Sequence, residues 1–242
     1  MSKCTELLII GDSISLGVAE LRINDIVGSV HPSYTELIAD GLPGVRIHVD
    51  ADIHRTTVNA LPILEQLLLT HKPDAVLIML GGNDADVEWR RFVISGGRIG
   101  RSRVKVETYE HNLETLAGKV KAAGAIPVLT DMPNHYLAVR GPYLSHLSGK
   151  DVTAMIAANG GQERSDVGLQ HFRLAAARVA ERMACPLVDY GQALHMQPPE
   201  QMCGPDGVHP SRQAHEIIAR QLEPVLRRIL LQEEIPFRRM PA

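Results

Sequence analysis

Short apolar runs alternate along the chain with longer segments in which apolar residues recur every three or four positions. The short runs are typical of buried strands, and the longer segments are typical of helices that cover a sheet. We predict strands at residues 6–10, 45–49, 75–80, 126–130 and 186–189. We predict the main helices at residues 33–39, 56–69, 109–123, 166–183 and 213–231. The alternation predicts an α/β fold in which a five-stranded parallel sheet lies between two layers of helices.

A sheet of this kind is expected to have the flavodoxin-like strand order 2-1-3-4-5, in which the order reverses between strands one and three. We therefore predict a three-layer α/β/α sandwich whose ligand crevice lies at the carboxyl ends of those two strands. The 242 residues suit one domain spanning residues 1–242.

Two stretches interrupt the alternation, and we predict loop insertions at about residues 85–106 and 132–164. The first is rich in arginine between residues 90 and 105. It either contacts an anionic part of a substrate or is a solvated basic loop or subunit contact. The second insertion could form a substrate pocket, and we predict a short helix within it at residues 152–158.

Polar motifs follow the first and third predicted strands. Gly-Asp-Ser stands at residues 11–13 and Gly-Gly-Asn-Asp at residues 81–84, and Asp-Gly-Val-His-Pro stands far downstream at residues 206–210. A serine hydroxyl becomes a good nucleophile when an imidazole takes its proton and a carboxylate orients that imidazole. Ser13, His209 and Asp206 supply these three groups. The alternative is that the first motif only caps a following helix.

In this order the three motifs resemble those of the SGNH (GDSL) hydrolase family, over about residues 7–212. The resemblance implies that Ser13 is the nucleophile and that Asp206 and His209 complete the triad. It also implies an oxyanion hole formed by the Asn83 amide and backbone N–H groups, including that of Ser13.

At one position of the oxyanion hole, this chain differs from the residue type that the family usually has. The family usually carries a glycine in the loop after the second strand, and His54 stands at that place. A backbone N–H does not depend on the side chain, so His54 keeps the donor if its φ is negative. The His54 side chain either points to solvent or touches the substrate.

The predicted reaction is hydrolysis of a small or medium carboxylic ester through an acyl-enzyme intermediate on Ser13. Aromatic residues make up only 4% of the chain, which offers no obvious stacking platform for a polysaccharide. An acyltransferase or thioesterase using the same site is an alternative, and so is a non-catalytic binding module that keeps the fold. We expect no metal and no organic cofactor. Three further histidines are expected to lie outside the chemistry: His135, His146 and His215.

The expected partner is a small-molecule ester, and composition gives no reason to add a macromolecule. The net charge of −3 gives no global reason to expect nucleic acid or an anionic membrane. The three cysteines have neither metal-ligand spacing nor the pattern of a disulfide framework. The amino terminus lacks the pattern of a secretory signal, which predicts a cytoplasmic location. The sequence does not indicate an oligomeric state.

Overall fold

Five of the strands form one parallel sheet, and each is built from one of the predicted apolar runs. The computed structural model describes residues 5–22, 25–98 and 100–232. In chain order the strands are β1 (Thr5–Gly11), β2 (Val18–Arg22), β3 (Asp25–Ser29), β4 (Val45–Ala51), β5 (Ala75–Ile78), β6 (Ile126–Thr130) and β7 (Leu187–Val188). The large sheet has the order β4-β1-β5-β6-β7 with parallel neighbours. Counted within this sheet alone, the order is 2-1-3-4-5, as predicted.

Helices cover both faces of the sheet. They are α1 (Tyr34–Gly41), α2 (Thr57–His71), α3 (Gly82–Ala85), α4 (Trp89–Ile94), α5 (Val106–Ala122), α6 (Leu137–Ser148), α7 (Val152–Ala158), α8 (Gly161–Arg182), α9 (Tyr190–His195), α10 (Pro199–Met202) and α11 (Arg212–Leu230). Alternate side chains of β1 divide between two cores because successive strand residues point to opposite faces. Leu7 and Ile9 pack with α1, α9 and α11, whereas Leu8 and Ile10 pack with α2, α5 and α8. The three-layer sandwich is therefore confirmed.

A two-stranded antiparallel hairpin of β2 and β3 was not predicted, and its numbering shifts the labels of the later strands. It follows the Gly-Asp-Ser motif directly. Its side chains do not alternate cleanly between buried and exposed, and Ile26 and Val27 are both exposed. The hairpin therefore lacks the alternation that sequence patterns detect.

The two insertions fold into short helices that pack on each other. Residues 85–106 contain α4, and residues 132–164 contain α6, α7 and the start of α8. The predicted helix at residues 152–158 is confirmed. Five buried residues from the two insertions form a third apolar cluster: Trp89, Phe92, Leu137, Val152 and Ile156. Among the described residues, no helix has both the length and the apolar character needed to span a membrane.

Candidate active site

A serine, a histidine and an aspartate are hydrogen-bonded in series beyond the carboxyl end of β1. The hydroxyl of Ser13 lies 2.9 Å from Nε2 of His209, and Nδ1 of His209 lies 2.5 Å from Oδ2 of Asp206. The three residues are buried, with exposed fractions of 5%, 4% and 0%. The structure thus brings together the three residues that the sequence analysis grouped. Because Nδ1–H donates to the carboxylate, Nε2 is left to accept the serine proton.

The loop from residue 204 to residue 210 fixes the spacing of the aspartate and the histidine. Oδ1 of Asp206 accepts the backbone N–H groups of Val208 and His209, both at 3.0 Å. Gly207 has a φ of +72°, and a Cβ there would lie 2.6 Å from the backbone nitrogen of Arg140. Glycine is therefore required at this position by both conformation and packing. The turn directs the Asp206 carboxylate toward the imidazole of His209, three residues later in the chain.

The Asp206 carboxylate is held in its ionised form. Burial alone would raise its pKa, but the contacts with His209 and the two backbone N–H groups hold the pKa at about 2. Two contacts from outside the motif also hold this residue. The Leu21 N–H donates to Oδ2 at 3.2 Å, and Arg140 donates to the Asp206 carbonyl at 3.1 Å. Sequence reasoning missed both because they come from the hairpin and from α6.

Ser13 lies in a tight turn rather than at a helix start. Oδ1 of Asp12 accepts the N–H of Ile14 at 2.9 Å, and the chain then enters β2. The alternative that this motif only caps a following helix is therefore wrong. Within the described residues, the Ser13 N–H donates to no protein group. This donor is available to a ligand beside the serine hydroxyl.

Asn83 lies beside the same turn. Its Nδ2 donates to Oδ2 of Asp12 at 3.0 Å, and an amide nitrogen carries a second N–H that can serve another acceptor. Burial raises the pKa of Asp12 to about 6, although hydrogen bonds from Ile14 and Asn83 oppose the shift. Gly81 precedes α3 with a φ of +129°, and a Cβ there would lie 2.7 Å from Met132 Cε. The glycine lets the chain turn sharply after β5 and places Asn83 next to Asp12.

Asp84 connects this motif to the loop that carries His54. It is fully buried, and its carboxylate accepts the Thr57 N–H at 3.1 Å and the Thr57 hydroxyl at 2.5 Å. Burial raises the pKa of Asp84 to about 6. Asn112 donates to the Thr57 hydroxyl oxygen at 3.2 Å. The sequence analysis gave Asp84 no role, although its place next to Asn83 was the available signal.

His54 does not meet the condition set from the sequence, because its φ is +60° rather than negative. The residue is half-buried and adopts the left-handed conformation that favours glycine. The backbone at His54 therefore follows a path open to the glycine that the family usually has there. This path is kept at the cost of strain in a residue that carries a Cβ.

The other three histidines occupy different environments. His215 is fully buried, its Nδ1 accepts the Tyr34 N–H at 3.0 Å, and burial lowers its pKa to about 4. His146 is exposed. His135 is buried with Nδ1 3.7 Å from Asp86, so it has a carboxylate neighbour that the sequence spacing did not reveal. None of the three contacts Ser13.

The arginine-rich segment is partly paired within the protein. Arg103 lies 3.3 Å from Asp86, and Arg91 lies 3.0 Å from Glu88. Across residues 5–22, 25–98 and 100–232, no group of three or more histidine, cysteine or acidic side chains is arranged to hold a metal ion.

A flavodoxin-like sheet with a serine, histidine and aspartate in series at its carboxyl edge defines a class of hydrolases. The family model described as the GDSL-like Lipase/Acylhydrolase family matches residues 9–217. The chain belongs to this family.

Three relatives illustrate the likeness. The chain is 26% identical over 226 residues to Thioesterase 1/protease 1/lysophospholipase L1 of Escherichia coli strain K12, covering 91% of this chain and 84% of the relative. It is similar to the crystal structure of a lipase/acylhydrolase from Enterococcus faecalis, with a TM-score of 0.67 and 20% identity over 96% of this chain and 100% of that one. It is also similar to a catalytic mutant of an acetylxylan esterase from Geobacillus stearothermophilus, with a TM-score of 0.64 and 23% identity over 95% and 96% of the two chains. The two solved structures support the fold.

Proposed function

We propose that the protein is a serine esterase that hydrolyses a small or medium carboxylic ester through an acyl-enzyme on Ser13. The observation that carries this proposal is the hydrogen-bonded series from Ser13 through His209 to Asp206, at 2.9 Å and 2.5 Å. Membership of a lipase/acylhydrolase family supports the same chemistry.

In the first half-reaction, the Ser13 hydroxyl oxygen attacks the ester carbonyl carbon while Nε2 of His209 takes its proton. Asp206, whose low pKa keeps it ionised, stabilises the imidazolium that forms. The carbonyl oxygen becomes an oxyanion, and we assign its donors to the backbone N–H of Ser13 and to the Asn83 amide. We add the His54 N–H as a third donor, because the positive φ of His54 follows the path open to the family glycine and not the negative φ expected from the sequence. When the intermediate collapses, the carbon–oxygen bond to the alcohol breaks and His209 gives its proton to the leaving group.

In the second half-reaction, a water molecule attacks the acyl carbon of the Ser13 ester. His209 takes a proton from that water and returns it to the serine oxygen as the acyl–serine bond breaks. The products are a carboxylic acid and the free enzyme. Every proton transfer passes through one imidazole, so the proposed protein groups complete the cycle.

A thioesterase is the second candidate, because the Escherichia coli relative is described as a thioesterase. The same groups perform this reaction, since only the leaving atom changes from oxygen to sulfur. Comparing an oxygen ester and a thioester with the same acyl group separates the two candidates. Transfer to an added alcohol in preference to water would instead indicate an acyltransferase.

The decisive experiment treats the purified protein with a small fluorophosphonate and measures its intact mass. We expect one adduct on the parent protein and none on Ser13→Ala. Ser15→Ala is the matched control, because the Ser15 hydroxyl lies 2.6 Å from the Tyr34 hydroxyl and is not bonded to the imidazole. Absence of an adduct on folded parent protein would contradict the proposal and favour a non-catalytic binding module.

Several sequence-based expectations stay predictions. They are the single domain over residues 1–242, the cytoplasmic location, and a small-molecule partner in place of nucleic acid or a membrane.

A further inference from the structure

A second pocket of about 290 Å³ opens between the two insertions and α8. Much of its wall is apolar, and six of its apolar lining residues are at most 9% exposed: Trp89, Phe92, Leu137, Ile156, Leu169 and Phe172. Of the described residues that line it, none belongs to the proposed triad or oxyanion hole. The pocket is therefore lined by residues to which the proposed mechanism gives no role.

The ionisable residues that line this pocket are all basic. Arg164 and His171 are exposed residues on α8, and His135 is a buried residue beside Asp86. The described lining residues include no aspartate and no glutamate. An anion that enters the pocket therefore meets positive or neutral groups in its wall.

On α8, the residues that line the pocket lie on one face of the helix, and the nearby acidic residues lie off that face. Lining positions recur along this helix at residues 161, 164, 165, 168 and 172, a spacing that keeps them on one face. Glu163 and Asp166 lie in the same turns but off this face, and neither lines the pocket. Nη1 of Arg164 donates a long hydrogen bond of 3.4 Å to the Asn159 carbonyl oxygen, which uses little of the donor capacity of the guanidinium. Its guanidinium retains donors for a carboxylate.

Gly168 lines the pocket without contributing a side chain. It lies inside α8, where glycine weakens a helix relative to alanine. Its φ is not positive, and a Cβ built there would meet no atom within 4 Å. Neither backbone conformation nor close packing therefore requires glycine at this position. The absence of a side chain does leave space in the pocket that Gly168 lines.

We propose that this pocket is a binding site for a small organic carboxylate that carries one hydrocarbon ring. The ring packs against Trp89, Phe92 and Phe172, and the carboxylate pairs with Arg164 at the rim. A volume of about 290 Å³ is large enough for a six-membered ring with one carboxylate. This site is additional to the proposed esterase activity and does not depend on it.

The test uses Trp89, which is the only tryptophan of the chain and lines the pocket. Cyclohexanecarboxylate is titrated into Ser13→Ala protein while tryptophan emission is recorded. Cyclohexanecarboxamide is the matched uncharged probe, and neither probe absorbs the light that excites tryptophan. We expect a saturable change with the carboxylate and binding about tenfold weaker with the amide, since a charge-assisted pair is lost.

Two variants locate the binding site. Arg164→Gln should weaken carboxylate binding by about tenfold and leave amide binding unchanged. The control Arg220→Gln, at an exposed position on α11 across the sheet, should change neither. Gly168→Leu should fill the pocket and abolish the response to both probes. The same glycine variant made with Ser13 intact should hydrolyse a simple ester at the parent rate, and circular dichroism should show an unchanged helix content.

Three results would overturn the proposal. One is the absence of a saturable emission change, and another is binding to Gly168→Leu that equals binding to the parent protein. The third is loss of carboxylate binding when the parent protein is first blocked with a fluorophosphonate, since the probe would then occupy the catalytic crevice. The first two results are read in protein that lacks the serine hydroxyl, so they hold whether or not the proposed esterase activity fails.

Discussion

Replacing His54 by glycine tests whether this residue contributes through its backbone alone. His54 has a φ of +60°, and holding a residue with a Cβ in this conformation costs about 1–2 kcal/mol. Glycine removes that strain but loses about 0.5–1 kcal/mol more conformational entropy on folding than alanine does. The centres of the two ranges differ by about 0.75 kcal/mol, so we expect a net gain of about 0.5–1 kcal/mol from the change of backbone preference.

The His54 side chain contributes its own contacts, so His54→Ala is the necessary reference. Alanine removes these contacts but keeps the strain of a Cβ at positive φ. We expect His54→Gly to be more stable than His54→Ala by about 0.5–1 kcal/mol, which for a chain of this length raises Tm by about 1–4 °C. Urea unfolding followed by circular dichroism measures the difference, and thermal melts check its sign.

Activity provides the second measurement. If His54 supplies only its N–H to the oxyanion, both variants should hydrolyse a small activated ester with kcat/KM close to that of the parent protein. An alanine variant as stable as the glycine variant would refute the strain argument. A loss of about a hundredfold or more in both variants would refute the backbone-only role and would give the imidazole a part in the chemistry.

Three further predictions concern Asn83, Asp84 and Asp131. Asn83→Ala should lower kcat by about 10²–10³ through loss of an oxyanion donor, and a fall of less than about threefold would contradict that role. Asp84→Ala should reduce the free energy of unfolding by about 1–3 kcal/mol, because it leaves the buried Thr57 N–H without its acceptor; urea unfolding measures this. Burial and the neighbouring Asp189 raise the pKa of Asp131 to about 8, so the folded state keeps a proton there that the unfolded state loses near pH 4. The contribution of Asp131 to parent stability should therefore fall as pH rises from about 4 to about 8, so the difference from Asp131→Asn should change across that window; a constant difference would refute the shift.

The sheet was predictable because its strands are continuous apolar runs. Residues 75–80 are buried on both sides of the sheet, and such runs stand out in any sequence. Helix positions were also predicted, although α8 begins at Gly161 rather than at residue 166. Its first turn is polar and lacks the apolar period that identifies a helix.

The candidate site was predictable only where its residues lie within short motifs. Ser13 and Asn83 both follow strands whose carboxyl ends lie at one edge of a parallel sheet, and the role of Asn83 came from the family resemblance. Asp206 and His209 could be chosen from their three-residue spacing and the same resemblance. The positive φ of His54 could not be predicted from the sequence, because the identity of a non-glycine residue does not indicate a left-handed backbone. The Arg140 and Leu21 contacts were equally hidden, because each joins segments more than sixty residues apart.

The contacts around Asp206 explain why the motifs alone do not define the site. The motif directs the Asp206 carboxylate toward His209. The position of that carboxylate relative to the sheet depends on contacts from the β2–β3 hairpin and from the second insertion. The hairpin provides the Leu21 N–H, and Tyr143 of α6 donates to the Leu21 carbonyl at 3.0 Å. Arg140 of the same helix donates to the Asp206 carbonyl. Because α6 bonds to the acid loop and to the hairpin, a shift of this helix moves both supports of the carboxylate together. The second insertion therefore belongs to the framework of the proposed active site as well as to the wall of the second pocket.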